Sequence, residues 1–108
     1  MIQDPLVYDW NASDASPWST RHIELLDETL RDGLQSPSVQ NPKLEQKLEG
    51  LRQMARLGVA AVNLGLPAVS PAAREQTKQM LRVIRDERLD LLPVCAGRTL
   101  PGDVTPIL

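Results

Sequence analysis

Residues 59–66 read Val59-Ala60-Ala61-Val62-Asn63-Leu64-Gly65-Leu66, closed by Pro67. Both alternating sets are apolar, so a strand here has both faces covered, as strands of parallel sheets layered with helices do. Upstream, Leu44, Leu48, Leu51 and Ala55 fall at helical spacing with Met54 beside them. That makes one buried stripe, with Lys43, Glu45, Lys47, Glu49 and Arg52 as its wet side. Asn41-Pro42 reads as an N-cap with proline at the first helical position. Gly58 reads as the residue that ends the helix. Downstream, Ser70-Pro71 repeats the cap-then-proline signal, and a second helix runs to about Asp86 with Ala73, Thr77, Met80, Leu81 and Ile84 inward. Leu89 to Ala96 reads as a further strand, followed by Gly97-Arg98-Thr99. Before the first helix, His22 to Asp27 reads as a short buried strand, and a polar loop spans 28–41.

The order is β-α-β-α-β, which implies a parallel sheet with right-handed crossovers. Two α/β folds begin this way, the open doubly wound sheet and the (β/α)8 barrel. A barrel takes about 250 residues, and this chain has 108. The expectation is a partial (β/α)8 barrel over 22–108, preceded by an irregular arm over 1–21. The chain reads as a piece of a longer enzyme: nothing after the third strand looks helical, and Pro101, Gly102 and Pro106 break what remains. With both edge strands bare, oligomerisation is expected.

Composition excludes several classes. Twelve cations against 14 acids give a net charge of −2, which does not make a nucleic-acid surface. Apolar residues at 42% and charged residues at 24% are ordinary for a globular domain. There is no Phe, and Tyr8, Trp10 and Trp18 all precede residue 19, so the core must be aliphatic. One cysteine, Cys95, excludes an internal disulfide and a multi-cysteine zinc site. No signal peptide or membrane span is legible, and the cytoplasm is the default compartment.

Ligands of parallel α/β folds bind at the carboxyl ends of strands. Three polar clusters fall there: Asp27 to Gln35, Asn63, and Arg98-Thr99. All three are expected to face one mouth. Arg31 and Asp32 are adjacent. They are read either as a solvated loop or as a site in which Asp32 offers a hard oxygen to Mg²⁺, Mn²⁺ or Zn²⁺. In that second reading Arg31 steadies negative charge growing on a nearby oxygen.

The string Leu26-Asp27-Glu28-Thr29-Leu30-Arg31-Asp32-Gly33-Leu34-Gln35-Ser36-Pro37 resembles the D-x-T-L-R-D-G-x-Q signature of the pyruvate carboxyltransferase-like (DRE-TIM metallolyase) superfamily. That superfamily includes 2-isopropylmalate synthase, homocitrate synthase, citramalate synthase and HMG-CoA lyase. Leu57-Gly58-Val59, leading to Gly65-Leu66-Pro67-Ala68-Val69-Ser70-Pro71, is similar to strand two of the isopropylmalate synthase branch. The resemblance implies the start of a TIM barrel. It also implies a metal-dependent condensation of acetyl-CoA with a 2-oxo acid. Carried over by motif position, Arg31 is the catalytic charge stabiliser, Asp32 the metal ligand, and Gln35, Asn63 and Arg98 are substrate-side residues.

The chain departs from the family pattern in three places. Glu28 stands where a small hydroxyl residue is usual. Asn63-Leu64-Gly65 stands where Glu-x-Gly is usual. The paired His-x-His ligands are absent, and the single histidine, His22, precedes strand one. The metal site is therefore expected to be incomplete and the isolated chain inactive. Two alternatives stand beside the synthase reading: a retro-aldol lyase of the HMG-CoA lyase type, and a non-catalytic half-barrel acting as an assembly partner.

Overall fold

A computed structural model describes residues 22–108, so the arm expected over 1–21 lies outside the described residues. Three strands form one parallel sheet in the order β1 (Leu26–Asp27), β2 (Ala61–Asn63), β3 (Leu92–Val94). Helix α1 (Leu44–Leu57) connects the first pair, and α2 (Pro71–Asp86) the second. Sequential order separates the two candidate folds. A doubly wound sheet reverses its strand order at a switch point. Here each crossover steps one strand the same way, so right-handed connections put both helices on one face. The helices pack against each other. The architecture is α/β, the start of a (β/α)8 barrel.

The helices form largely where the apolar spacing puts them. Leu51 and Met54 of α1 and Met80 and Ile84 of α2 are buried against Val62, Leu64 and Leu91. Leu44, Leu48, Ala55 and Leu89 pack around that cluster. Gly58 takes φ +78°, and its N–H donates to Ala55, which closes α1. Ser70 Oγ accepts the Ala73 N–H at 3.0 Å, and Pro71 opens α2. A serine cap of this kind contributes about 1 kcal/mol.

Several expectations are corrected. Helix α1 starts at Leu44, with Lys43 as its N-cap in place of Asn41. The Gln46 side chain reaches back to accept the Lys43 N–H at 2.8 Å, which satisfies the orphan donor that Asn41 was expected to serve. Lys47, assigned to the wet side, is buried against α2, and Leu81, assigned to the core, is exposed. Strand β1 is shorter than expected and exposed: Ile23, Leu25 and Leu26 all remain more than half accessible. Among the described residues only β2 pairs with β1, so one edge has no cover.

After β3 the chain forms one more helical turn, α3 (Pro101–Val104), where none was expected. Its Asp103 is buried and accepts both the Arg98 backbone N–H at 3.0 Å and the Arg98 guanidinium at 2.8 and 3.0 Å. Those bonds pull the Asp103 carboxyl down to about 2. A depressed carboxyl contributes stability above its ordinary pKa and loses it as pH falls through the folded value. The α3 turn should therefore hold from neutrality to about pH 4 and open between about pH 4 and 2. Amide exchange at Thr105 reads this directly, and in Asp103→Asn the transition in that window should vanish.

Candidate functional site

The parallel register builds the site. Leu26 pairs with Ala61 and Asp27 with Val62. One residue further along the same ladder, Glu28 comes alongside Asn63. Both lie at the carboxyl ends of their strands, where ligands of this architecture bind.

Asp27 anchors the loop. Its carboxylate accepts the Thr29 N–H at 2.8 Å and the Thr29 hydroxyl at 3.2 Å. The Glu28 carbonyl then accepts the N–H groups of Arg31, Asp32 and Gly33, winding the chain into a tight turn that leads into a 3₁₀ segment at Gly33–Gln35. That turn brings Arg31 back over Glu28, and Arg31 Nε donates to Glu28 Oε2 at 2.6 Å. Asn63 Nδ2 donates to the two oxygens of the same carboxylate at 3.1 and 3.3 Å.

Asn63 is itself fixed. Its Oδ1 accepts the Gly65 N–H at 3.1 Å. The amide therefore has one orientation: oxygen toward a donor, nitrogen toward a carboxylate. Gly65 sits at φ +110°, open only to glycine without strain. The hydrogen bonds from Arg31 first, then from Asn63, hold the Glu28 carboxyl below its ordinary range. The Arg31–Glu28 ion pair is thus present at neutral pH.

A cavity of about 270 Å³ opens beside this network, with Arg31, Gln35, Leu64, Lys47 and Gln76 among its lining residues. Lys47 is only 8% exposed, and its Nζ donates to Gln76 Oε1 at 2.9 Å. Burial lowers its pKa. Two cations with amide neighbours make the cavity suited to an anionic oxygen.

The structure brings Arg31, Gln35 and Asn63 to one place. Asp32 adjoins them, exposed, with Oδ1 3.9 Å from Arg31 Nη2. Arg98 is not hydrogen-bonded to this network: every hydrogen bond it donates among the described residues goes to Asp103. Hydrogen bonds thus join two of the three polar clusters, Asp27 to Gln35 and Asn63, and tie Arg98 to Asp103. Glu28 and Lys47 join the candidate site without having been assigned to it from the sequence. Glu28 carried a readable signal, since it lies three residues from Arg31, the spacing at which side chains meet in a helical turn.

Asp32 offers one hard oxygen for a metal. Among the described residues no group of three or more His, Cys, Asp or Glu side chains converges on a point. Three protein ligands is the ordinary minimum for a catalytic zinc, so this donor set does not by itself make a metal centre. Titrated with Mn²⁺ in a calorimeter, the chain should bind no more tightly than an Asp32→Ala variant. Tight binding that Asp32→Ala removes would reveal a self-contained site. Among the described residues no helix is long and apolar enough to cross a membrane.

Comparison with known proteins gives one family. The family model described as HMGL-like matches residues 22–103. The chain is 42% identical over 65 residues to the 2-isopropylmalate synthase of Pyrococcus furiosus, covering 60% of the chain and 13% of that protein. It is 37% identical over 82 residues to the 2-isopropylmalate synthase of Rhodopirellula baltica, covering 76% of the chain and 15% of that protein. It is 36% identical over 86 residues to the homocitrate synthase AksA of Methanosarcina acetivorans, covering 80% of the chain and 20% of that protein. The chain thus spans a fifth or less of the length of these curated relatives. No solved structure matches it.

Proposed function

The chain belongs to the HMGL-like family, with synthases of the condensing acyltransferase type among its relatives, and we propose that it supplies the first three barrel strands of an enzyme joining acetyl-CoA to a 2-oxo acid. The observation that carries this reading is the Arg31–Glu28–Asn63 network at the ends of β1 and β2, bordering a cavity with two cations.

In such a condensation a proton leaves the acetyl methyl group, and the resulting enolate carbon bonds to the carbonyl carbon of the oxo acid. The carbonyl electron pair moves onto oxygen and is later protonated. Hydrolysis then releases CoA. Arg31 is the residue suited to the oxygen that gains charge, because a fixed guanidinium meets an oxyanion without reorganising. Gln35 is suited to hydrogen-bond the bound acid from the same cavity wall. Asp32 would offer one oxygen to a divalent metal, whose chemistry there would be to polarise the carbonyl of the oxo acid. Acetyl-CoA, the oxo acid and a homo-oligomeric assembly are the proposed partners, and the cytoplasm is the proposed compartment. Arg98 is retained as a substrate-side residue only if the acid draws it away from Asp103.

The test is a chimera. Residues 22–103, the stretch that the family model matches, replace the corresponding barrel segment of the Pyrococcus furiosus synthase, and CoA release from acetyl-CoA is followed against a panel of 2-oxo acids. Turnover that depends on one of those acids supports the reading. A folded chimera that releases no CoA with any of them refutes it.

A further inference from the structure

Glu28 and Asn63 are 35 residues apart in sequence, and both are positions at which this chain departs from the motif read above. The structure shows that these two departures touch. We propose that Glu28 is the positioning residue for Arg31, and that Glu28 and Asn63 form a transposed pair in which the loop after β1 supplies the carboxylate and β2 supplies the neutral amide.

The geometry makes each member depend on the other. Asn63 Nδ2 lies 3.1 Å from Glu28 Oε1. A second carboxylate at that distance would bring two like charges together, and both could not stay ionised. An amide donates there instead. Its other end is locked by the Gly65 N–H, so the amide cannot swing away. Asn63 is buried at 7% exposure, and its strand pairs with a neighbour on each side, so it forms a rigid base.

From that base the order runs Gly65, Asn63, Glu28, Arg31. Glu28 occupies the Nε edge of the guanidinium. Among the described residues no protein acceptor takes a hydrogen bond from either Nη nitrogen of Arg31; Asp32 is 3.9 Å away. The planar fork is held at one edge and left open at the other, the arrangement that presents paired donors to a carboxylate or enolate oxygen. Without Glu28, the cation would keep its charge and lose its direction.

Arg31 matters in this way only if, as read above, it is the cation that meets the ligand. The experiment observes the guanidinium itself and not the reaction, so a failed chimera and a failed pairing give different results. Hydrogen exchange at Arg31 Nε is measured by NMR in the 108-residue chain, with Arg31→Lys identifying the signal. Glu28→Ser should speed that exchange about tenfold or more, the size expected for loss of a charge-assisted hydrogen bond. Glu28→Ser/Asn63→Glu should slow it again, because the acid returns from the other strand. A residue that merely stabilised the loop would not be rescued in this way.

Backbone amides of Leu51 and Val62 report whether each variant keeps its core. Exchange unchanged by Glu28→Ser overturns the proposal, as does a double variant no slower than Glu28→Ser. Should Glu28→Ser lose the core, Asn63→Glu decides alone. Two facing acids must push one carboxyl titration of the pair upward, and two carboxyls that both stay in the ordinary range overturn the pairing.

Discussion

Arg31→Ala, placed in the chimera that carries residues 22–103 in the Pyrococcus furiosus synthase, is expected to lower kcat about 100- to 1000-fold, the range for removing one preorganised donor from a developing oxyanion. The residue lines the cavity, is held by Glu28 through Nε, and leaves its remaining nitrogens without protein acceptors among the described residues. An interaction made mainly in the transition state depresses kcat and kcat/KM together, whereas one that only binds substrate raises KM. Steady-state kinetics on a chimera with unchanged circular dichroism separates the two. A change confined to KM would make Arg31 a binding residue. No change in either constant would remove it from the site.

Leu51→Ala is expected to destabilise the chain by about 2–5 kcal/mol, the cost of a buried leucine truncated in a core that cannot collapse around the loss. Leu51 is fully buried and joins α1 to Val62 of the central strand and to Met80 and Ile84 of α2. No aromatic side chain belongs to this cluster, and a cavity there is walled by Val62, Leu64, Ile84 and the methionines Met54 and Met80. Small domains are stable by about 5–15 kcal/mol, so this one change could consume much of the total. The comparison is Leu57→Ala in the same helix. Leu57 is 81% exposed, and its truncation should shift stability by no more than about 0.5 kcal/mol. Urea denaturation of the two variants checks both values. Equal effects would mean that α1 does not pack by the face described.

Much of the architecture was legible before any coordinates. The doubly apolar run at 59–66, the apolar positions of α1 and α2, Gly58 and the Ser70-Pro71 cap are local signals. Each depends on residues within about one helical turn or on strand alternation. They fixed the element order, the parallel sheet and the ends of α2. Where local signals compete, the tertiary structure chooses between them. Asn41-Pro42 looked like a cap, but Gln46 satisfied the helix start two residues later. Lys47 reads as wet by charge alone, yet α2 covers it and Gln76 Oε1 accepts a hydrogen bond from its Nζ.

The motif around Arg31 and Asp32 marks the candidate site in the sequence, and the i, i+3 spacing of Glu28 and Arg31 is a local signal as well. The tertiary structure alone decided what Glu28 does. Its second partner lies on another strand and meets it only because Asp27 aligns with Val62 in the ladder. Had the two strands slipped by one residue, every side chain beyond that point would have faced the other way. Register is set by the whole packed layer of helices on the sheet and not by any short segment. For that reason a pair of substitutions that look independent along the chain becomes one hydrogen-bonded unit in the fold.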